Sequence, residues 1–310
     1  MERIAVIDLG TNTFHLLITE TGGSIIPGNI CKETIAVKLG EGGINQGMIN
    51  PDAFKRGIAA MERFHELIIS HQVTQVKAMA TAAIRSASNG TGFIAEIKNT
   101  TGIDIEIIDG EKEAGLIYLG VREATKMSKE PSLIMDIGGG SVEFILCNTS
   151  EIFWKKSYPI GAAKMMDLFH HSDPISKEDT WKITQHLDET LIELEDECRK
   201  HKPQTLIGSA GAFETFAELV KRKFNPRKQK SSLSSTDIKL EHFHEIASLL
   251  LRSTHEERSQ MPGLIALRVD MIVVATIITQ YVMRLPDMKA LVLSAYSLKE
   301  GVLFEMISGK

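Results

Sequence analysis

IAVIDLGTNTFHLLI, residues Ile4 to Ile18, aligns without a gap on SLIMDIGGGSVEFIL, residues Ser132 to Leu146. The alignment puts Asp8 over Asp136, Gly10 over Gly138, Asn12 over Gly140 and Thr13 over Ser141. Each copy reads as strand, turn, strand, because apolar β-formers flank a short run of Asp, Gly, Asn, Thr and Ser. A repeat of this kind sets the architecture before any single element is assigned.

The order of elements after each copy repeats as well. After the first come an extended stretch Ser24–Val37, a helix from Pro51 to about Ser70, a strand Val76–Ala80, a helix near Gly92–Asn99, a strand Ile103–Ile108 and a helix Glu111–Ala124. Asn50 and Pro51 suit the cap and first turn of the first of these helices. After the second come a strand Ile152–Ser157, helices Ala162–His170 and Lys177–Lys200, a strand Thr205–Gly208, a helix Ala212–Lys223, two more helical stretches, a strand Ala290–Ser294 and a helix Leu298–Ile307. Hairpins mixed with helical crossovers predict an α/β fold of two lobes, each a mixed sheet flanked by helices. The boundary is expected at 126/127, where KMSKEP interrupts the apolar pattern. This gives lobes 1–126 and 127–310, with packing of the final helix, 298–308, back on the first lobe left open.

Composition narrows the function classes. A chain of 310 residues, 43% hydrophobic, is long enough for two cores, since single cores stop growing near ~250–300 residues. A formal net charge of −5 argues against a surface adapted to a nucleic acid polymer. Any polyanion must be met locally. KRKFNPRKQK, Lys221–Lys230, carries six basic residues in ten and reads either as a docking track for a chain-like polyanion or as a solvated loop. Cys31, Cys147 and Cys198 have no CxxC spacing, so neither a disulfide framework nor a zinc site is indicated. The charged start MERIAVIDLG does not suit a signal peptide, and the apolar run from Met271 is broken by Gln280 and Arg284, short of the ~20 residues of a membrane span. A cytoplasmic protein without a membrane segment is expected, a homodimer being the default oligomer.

In DIGGGS the glycines Gly138, Gly139 and Gly140 remove every Cβ, so backbone amides and the Ser141 hydroxyl can approach an anion. Gly10, Thr11, Asn12 and Thr13 offer the same in DLGTNT. Either turn alone also reads as an ordinary hairpin; their recurrence at equivalent points favours a phosphate clamp between the lobes. Asp136 cannot bind phosphate itself. Its expected role is to hold a divalent cation, magnesium or a similar ion, with Glu143 on the same face by strand alternation and Asp8 as a third ligand. An outward, solvated Glu143 is the competing reading.

These residues resemble the exopolyphosphatase and guanosine pentaphosphate phosphatase family of the actin, heat-shock protein and sugar kinase superfamily. The likeness runs through IDLGTNTFHLLI from Ile7, ATAAIRSASN at Ala80–Asn89, IDGEKEAGLIYLGV at Ile108–Val121, LIMDIGGGSVEF at Leu133–Phe144, PGLIALRVDMI at Pro262–Ile272 and SLKEGVL at Ser297–Leu303. It implies ribonuclease H-like lobes with the active-site cleft between them. The implied activity is hydrolysis of terminal phosphate from inorganic polyphosphate, or alternatively from guanosine pentaphosphate. Because larger members carry further C-terminal helical domains, the chain reads as a short, two-domain member.

The family's base lies in an S/T-G-x-E-E-A motif, and Glu113 takes that place in DGEKEA, with Lys112 and Asp109 as departures. From the residues alone, an acid in a first helical turn is also what the helix dipole favours. Arg85 stands just after an expected strand end, where the family has an arginine, and its guanidinium can fork onto phosphate oxygens; a surface arginine capping that loop is the alternative. The family's second-lobe G-A-S-G-T appears as GSAGAF, so Gly208, Ser209 and Gly211 are expected phosphate contacts, while Ala210 and Ala212 replace hydroxyls. His15 reads as a packed, hydrogen-bonded histidine. A sugar kinase-like transferase and an inactive nucleotide sensor are the remaining alternatives.

Overall fold

The structure is a computed structural model that describes residues 2–21, 28–226, 234–285 and 288–308. The chain forms two compact units, Met1–Gly120 with Leu298–Lys310, and Val121–Ser297. In the first, β1 (Glu2–Leu9), β2 (Thr13–Thr21) and β3 (Gly28–Ala36) form an antiparallel meander. Helix α1 (Pro51–Ser70) then leads to β4 (Gln75–Ala80), followed by α2 (Ala82–Ser86), α3 (Gly90–Thr101), β5 (Ile105–Ile107) and α4 (Gly110–Ala124). The sheet order is β3-β2-β1-β4-β5, with β4 parallel to both β1 and β5.

Local chemistry explains these elements. Asn50 accepts from the Asp52 amide at 3.1 Å and Pro51 opens α1, so a donor is capped where proline lacks one. The helix buries Ala53, Gly57, Ala60, Met61, Phe64 and Ile68, a stripe at helical spacing against the sheet. Gly57 is needed because a Cβ there would stand 2.5 Å from the Phe93 ring.

In the second unit, β6 (Ser132–Ile137), β7 (Val142–Cys147) and β8 (Ile152–Tyr158) form the matching meander. Helices α5 (Ala162–Phe169), α6 (Lys177–Thr190) and α7 (Ile192–His201) precede β9 (Thr205–Ser209) and α8 (Ala210–Phe224). Then come β10 (Ser235–Ile238), α9 (Leu240–Arg252), α10 (His255–Ser259), α11 (Met271–Arg284) and β11 (Ala290–Ser294), before α12 (Leu298–Ser308) rejoins the first unit. The sheet order is β10-β11-β9-β6-β7-β8. Read from β8, the first five strands repeat the order of the first unit, and β10 is an added antiparallel edge.

Two expectations are corrected. The single helix over Lys177–Lys200 is broken at the buried Leu191. The halves serve different partners: Glu193 at the start of α7 takes the Trp154 indole of β8 at 2.9 Å, whereas Asp188 near the end of α6 takes the Tyr281 hydroxyl of α11 at 2.8 Å. Strand β10 was not foreseen, because only Ile238 of its four residues is buried. Among the described residues no helix is long and apolar enough to cross a membrane.

Candidate phosphate and carboxylate site

The two turns are the same object. Gly10 N donates to Thr13 O at 3.1 Å, and Gly138 N donates to Ser141 O at 3.0 Å. A Cβ on Gly10 would lie 2.9 Å from Thr13 O, and one on Gly138 3.0 Å from Ser141 O. Glycine is therefore required by closure of the turn itself.

The carbonyls of the second turn are all engaged. Ala162 N donates to Gly138 O at 2.9 Å, Ala163 N and Lys164 N to Gly139 O at 3.0 and 3.1 Å, and Gly161 N to Gly140 O at 3.2 Å. These donors include the first amides of α5, groups a helix cannot satisfy internally. In a trans peptide the N–H points opposite to the C=O of the same plane. The amides of Gly139, Gly140 and Ser141 therefore point away from α5, and among the described residues none of the three donates to a protein acceptor. Three successive outward amides form an anion-binding nest. The first turn follows the pattern, with Gly40 N on Thr11 O at 3.0 Å and Lys38 N on Asn12 O at 2.8 Å, which turns the Asn12 and Thr13 amides outward.

Beside the second turn, one row of side chains runs across four strands. Ser157 on β8 pairs with Glu143 on β7, Glu143 with Asp136 on β6, and Asp136 with Ser209 on β9. The Ser157 hydroxyl donates to Glu143 Oε1 at 2.7 Å, and the Ser209 hydroxyl donates to Asp136 Oδ2. Glu143 is 1% exposed and Asp136 7%, so the solvated reading of Glu143 does not hold. Two carboxylates directly opposite on one face repel each other. Their hard oxygens are donors of the kind that magnesium or calcium takes. Among the described residues no group of three or more His, Cys, Asp and Glu is gathered for a metal. The equivalent row in the first unit reads Thr34, His15, Asp8, Met79; His15 is held by Thr13 and Thr34 at 3.0 Å each, and this row carries one carboxylate.

Glu113 sits in the first turn of α4, its amide on Asp109 O at 3.0 Å, and is 6% exposed. Arg85, on α2, donates from Nη1 to Glu113 Oε2 at 3.1 Å and to Ile108 O at 2.8 Å. The structure thus brings together the two residues expected to act in catalysis. Lys112 is turned elsewhere. Its ammonium pairs with Glu106 at 2.5 Å, and Lys77 reaches the other oxygen of the same carboxylate at 2.7 Å. The hydrogen bond from Lys112, reinforced by that from Lys77, holds the Glu106 carboxyl below the usual glutamate range. The cation beside Glu113 is Arg85.

GSAGAF divides its roles. A Cβ on Gly208 would lie 2.0 Å from the Phe213 ring, so this glycine serves packing. Ala210 has φ +63°, a left-handed conformation that costs a non-glycine residue about 1–3 kcal/mol. Gly211 lies under the Arg268 guanidinium, where a Cβ would come 2.4 Å from Nη2. Thr215 and Glu214 hold that guanidinium at 3.0 and 2.9 Å. Arg268 lies within PGLIALRVDMI, so its sequence signal was present without a role attached. Of the basic segment, Arg222 pairs with Glu218 and Lys223 with Glu245, each at 2.6 Å; residues 227–230 lie outside the described residues.

Four likenesses to known proteins bear on this arrangement. The model of the Ppx/GppA phosphatase family matches residues 18–309. The crystal structure of an exopolyphosphatase from Cytophaga hutchinsonii is similar with a TM-score of 0.96 and 42% identity, over 99% of this chain and 98% of that one. Exopolyphosphatase 1 of Mycobacterium tuberculosis is 26% identical, over 99% of this chain and 89% of that protein. The Ppx/GppA family member from Aquifex aeolicus superposes with a TM-score of 0.81 at 25% identity, over 99% of this chain and 98% of that one.

Proposed function

Because the chain belongs to the Ppx/GppA phosphatase family, we propose that it is an exopolyphosphatase, a phosphoanhydride hydrolase that removes terminal phosphate from inorganic polyphosphate. The observation that carries this reading is the DIGGGS turn, whose three outward amides stand beside a buried carboxylate pair. Phosphoanhydride hydrolysis needs an aligned water, neutralisation of the phosphate oxygens and departure of the shortened chain. Glu113 orients the water and accepts its proton as the oxygen bonds to the terminal phosphorus. The bridging P–O bond breaks, the electron pair stays with the departing chain, and orthophosphate is released. Arg85 fixes the Glu113 carboxylate through Oε2.

Amides of Gly139, Gly140 and Ser141 bind phosphate oxygens, and Arg268 in the same unit adds a fixed cation above Gly211; in the first unit the outward amides of Asn12 and Thr13 are phosphate donors of the same kind. Asp136 and Glu143 are the residues that would hold magnesium or another divalent cation, which would supply neutralisation of phosphate oxygens. Asp8 is a lesser candidate, since its row lacks a second carboxylate.

The test is orthophosphate release from long-chain polyphosphate by purified protein, with Glu113→Gln alongside. The wild type is expected to release phosphate, and the variant to lose about 10²–10⁴ in turnover with KM and melting temperature little changed. Equal turnover by the variant would remove Glu113 from the mechanism.

A further inference from the structure

The row Ser157, Glu143, Asp136, Ser209 has an order that packing alone does not require. The two carboxylates occupy the inner positions and the two hydroxyls the outer ones. Each serine donates to one oxygen of its neighbour, Glu143 Oε1 on one side and Asp136 Oδ2 on the other. Ser209 is fully buried. A hydroxyl donated to a buried carboxylate fixes the rotamer of that carboxylate, at a place where the opposing charge would otherwise drive it aside.

The repeat supplies a comparison inside the same molecule. In the first unit the place of Ser209 is taken by Met79 and that of Glu143 by His15, while Thr34 keeps an outer hydroxyl. Where the carboxylate pair is absent, the second hydroxyl is absent too.

We propose that Ser157 and Ser209 are positioning residues that hold Glu143 and Asp136 in the arrangement that takes up a divalent cation. The proposal rests on the reading of that pair as cation ligands. Hydrogen-bond partners that orient ligating groups commonly contribute about 10–100-fold to metal affinity. Ser209, expected from the chain as a phosphate contact, gives its hydroxyl to Asp136 instead, and Ser157 gives its own to Glu143; both act through the carboxylates, so their removal weakens cation uptake rather than the chemical step at saturating metal.

Binding of Mn²⁺ to the full chain, followed by calorimetry, tests this directly. Ser157→Ala and Ser209→Ala are each expected to weaken Mn²⁺ binding about tenfold or more. Ser157→Thr, which keeps the hydroxyl, is expected to stay within a few-fold of wild type and guards against a simple folding defect. The alanine variants should also need more magnesium for half-maximal phosphate release, with kcat recovering at saturation. If they bind Mn²⁺ as the wild type does and differ only in melting temperature, the serines are structural and the inference is overturned. If the wild type and Asp136→Asn/Glu143→Gln bind Mn²⁺ equally, the underlying reading of the carboxylate pair fails instead.

Discussion

A carboxylate in the first turn of a helix is common, because the amide ends of the helix favour negative charge there. Glu113 differs from that ordinary case by being 6% exposed and gripped by Arg85. Arg85→Ala should leave a buried carboxylate without this donor. It is expected to cost about 1–3 kcal/mol of stability and to lower kcat more than it raises KM, which denaturant melts and initial rates would show; Arg85→Lys should fall between, since a compact ammonium replaces a guanidinium whose Nη1 serves both Glu113 and Ile108 O. Lys112 makes a separate prediction. Glu106 is held below the usual glutamate range by Lys112 and Lys77, and a depressed carboxylate contributes stability that is present above its unfolded pKa and lost as pH falls through its folded one. Lys112→Ala should therefore lower the melting temperature slightly near neutral pH and lose that effect in acid, below the folded pKa of Glu106. A difference that persists unchanged in acid would contradict the pairing. The pair is exposed, so the effect is small.

At the scale of elements, the second turn and the start of α5 form one unit. A Cβ on Gly161 would lie 2.4 Å from the backbone of Gly139 and Gly140, so Gly161→Ala must push α5 off the turn. A loss of about 1–3 kcal/mol is expected, with KM for polyphosphate raised more than kcat is lowered. Gly92, where a Cβ would meet nothing within 4 Å, is the matched control. Gly92→Ala in α3 should be neutral or stabilising by about 0.5–1 kcal/mol and leave kinetics unchanged. The strands other than β10 and the glycine turns could be read from the chain because runs of apolar β-formers and glycine turns are local signals. The break at Leu191 could not, since it depends on Glu193 meeting Trp154 and Asp188 meeting Tyr281, contacts distant in sequence. The direction of Lys112 was hidden for the same reason. Its partner is set by the position of Glu106 on β5 rather than by its neighbour Glu113.

The molecule as a whole uses one strand order twice with different chemistry. Counted in chain order, the first sheet runs third, second, first, fourth and fifth strand, and the second runs third, second, first, fourth and sixth with its fifth, β10, at the far edge, so Asp8 and Asp136 occupy the same place in two copies of one scaffold. The repeat was legible because it is linear in sequence. What separates the copies, a carboxylate row with a serine at each end in one and His15 with Met79 in the other, emerges only when register aligns residues from four strands. Candidate residues could be named from the chain, whereas the donors that orient them could not. Removal of terminal phosphate from inorganic polyphosphate is tested by incubating the purified protein with long-chain polyphosphate and with guanosine pentaphosphate side by side, resolving the products on a gel. Orthophosphate is expected from the ends of polyphosphate, at a rate above that for the nucleotide. Cleavage of guanosine pentaphosphate with polyphosphate left intact would contradict that expectation.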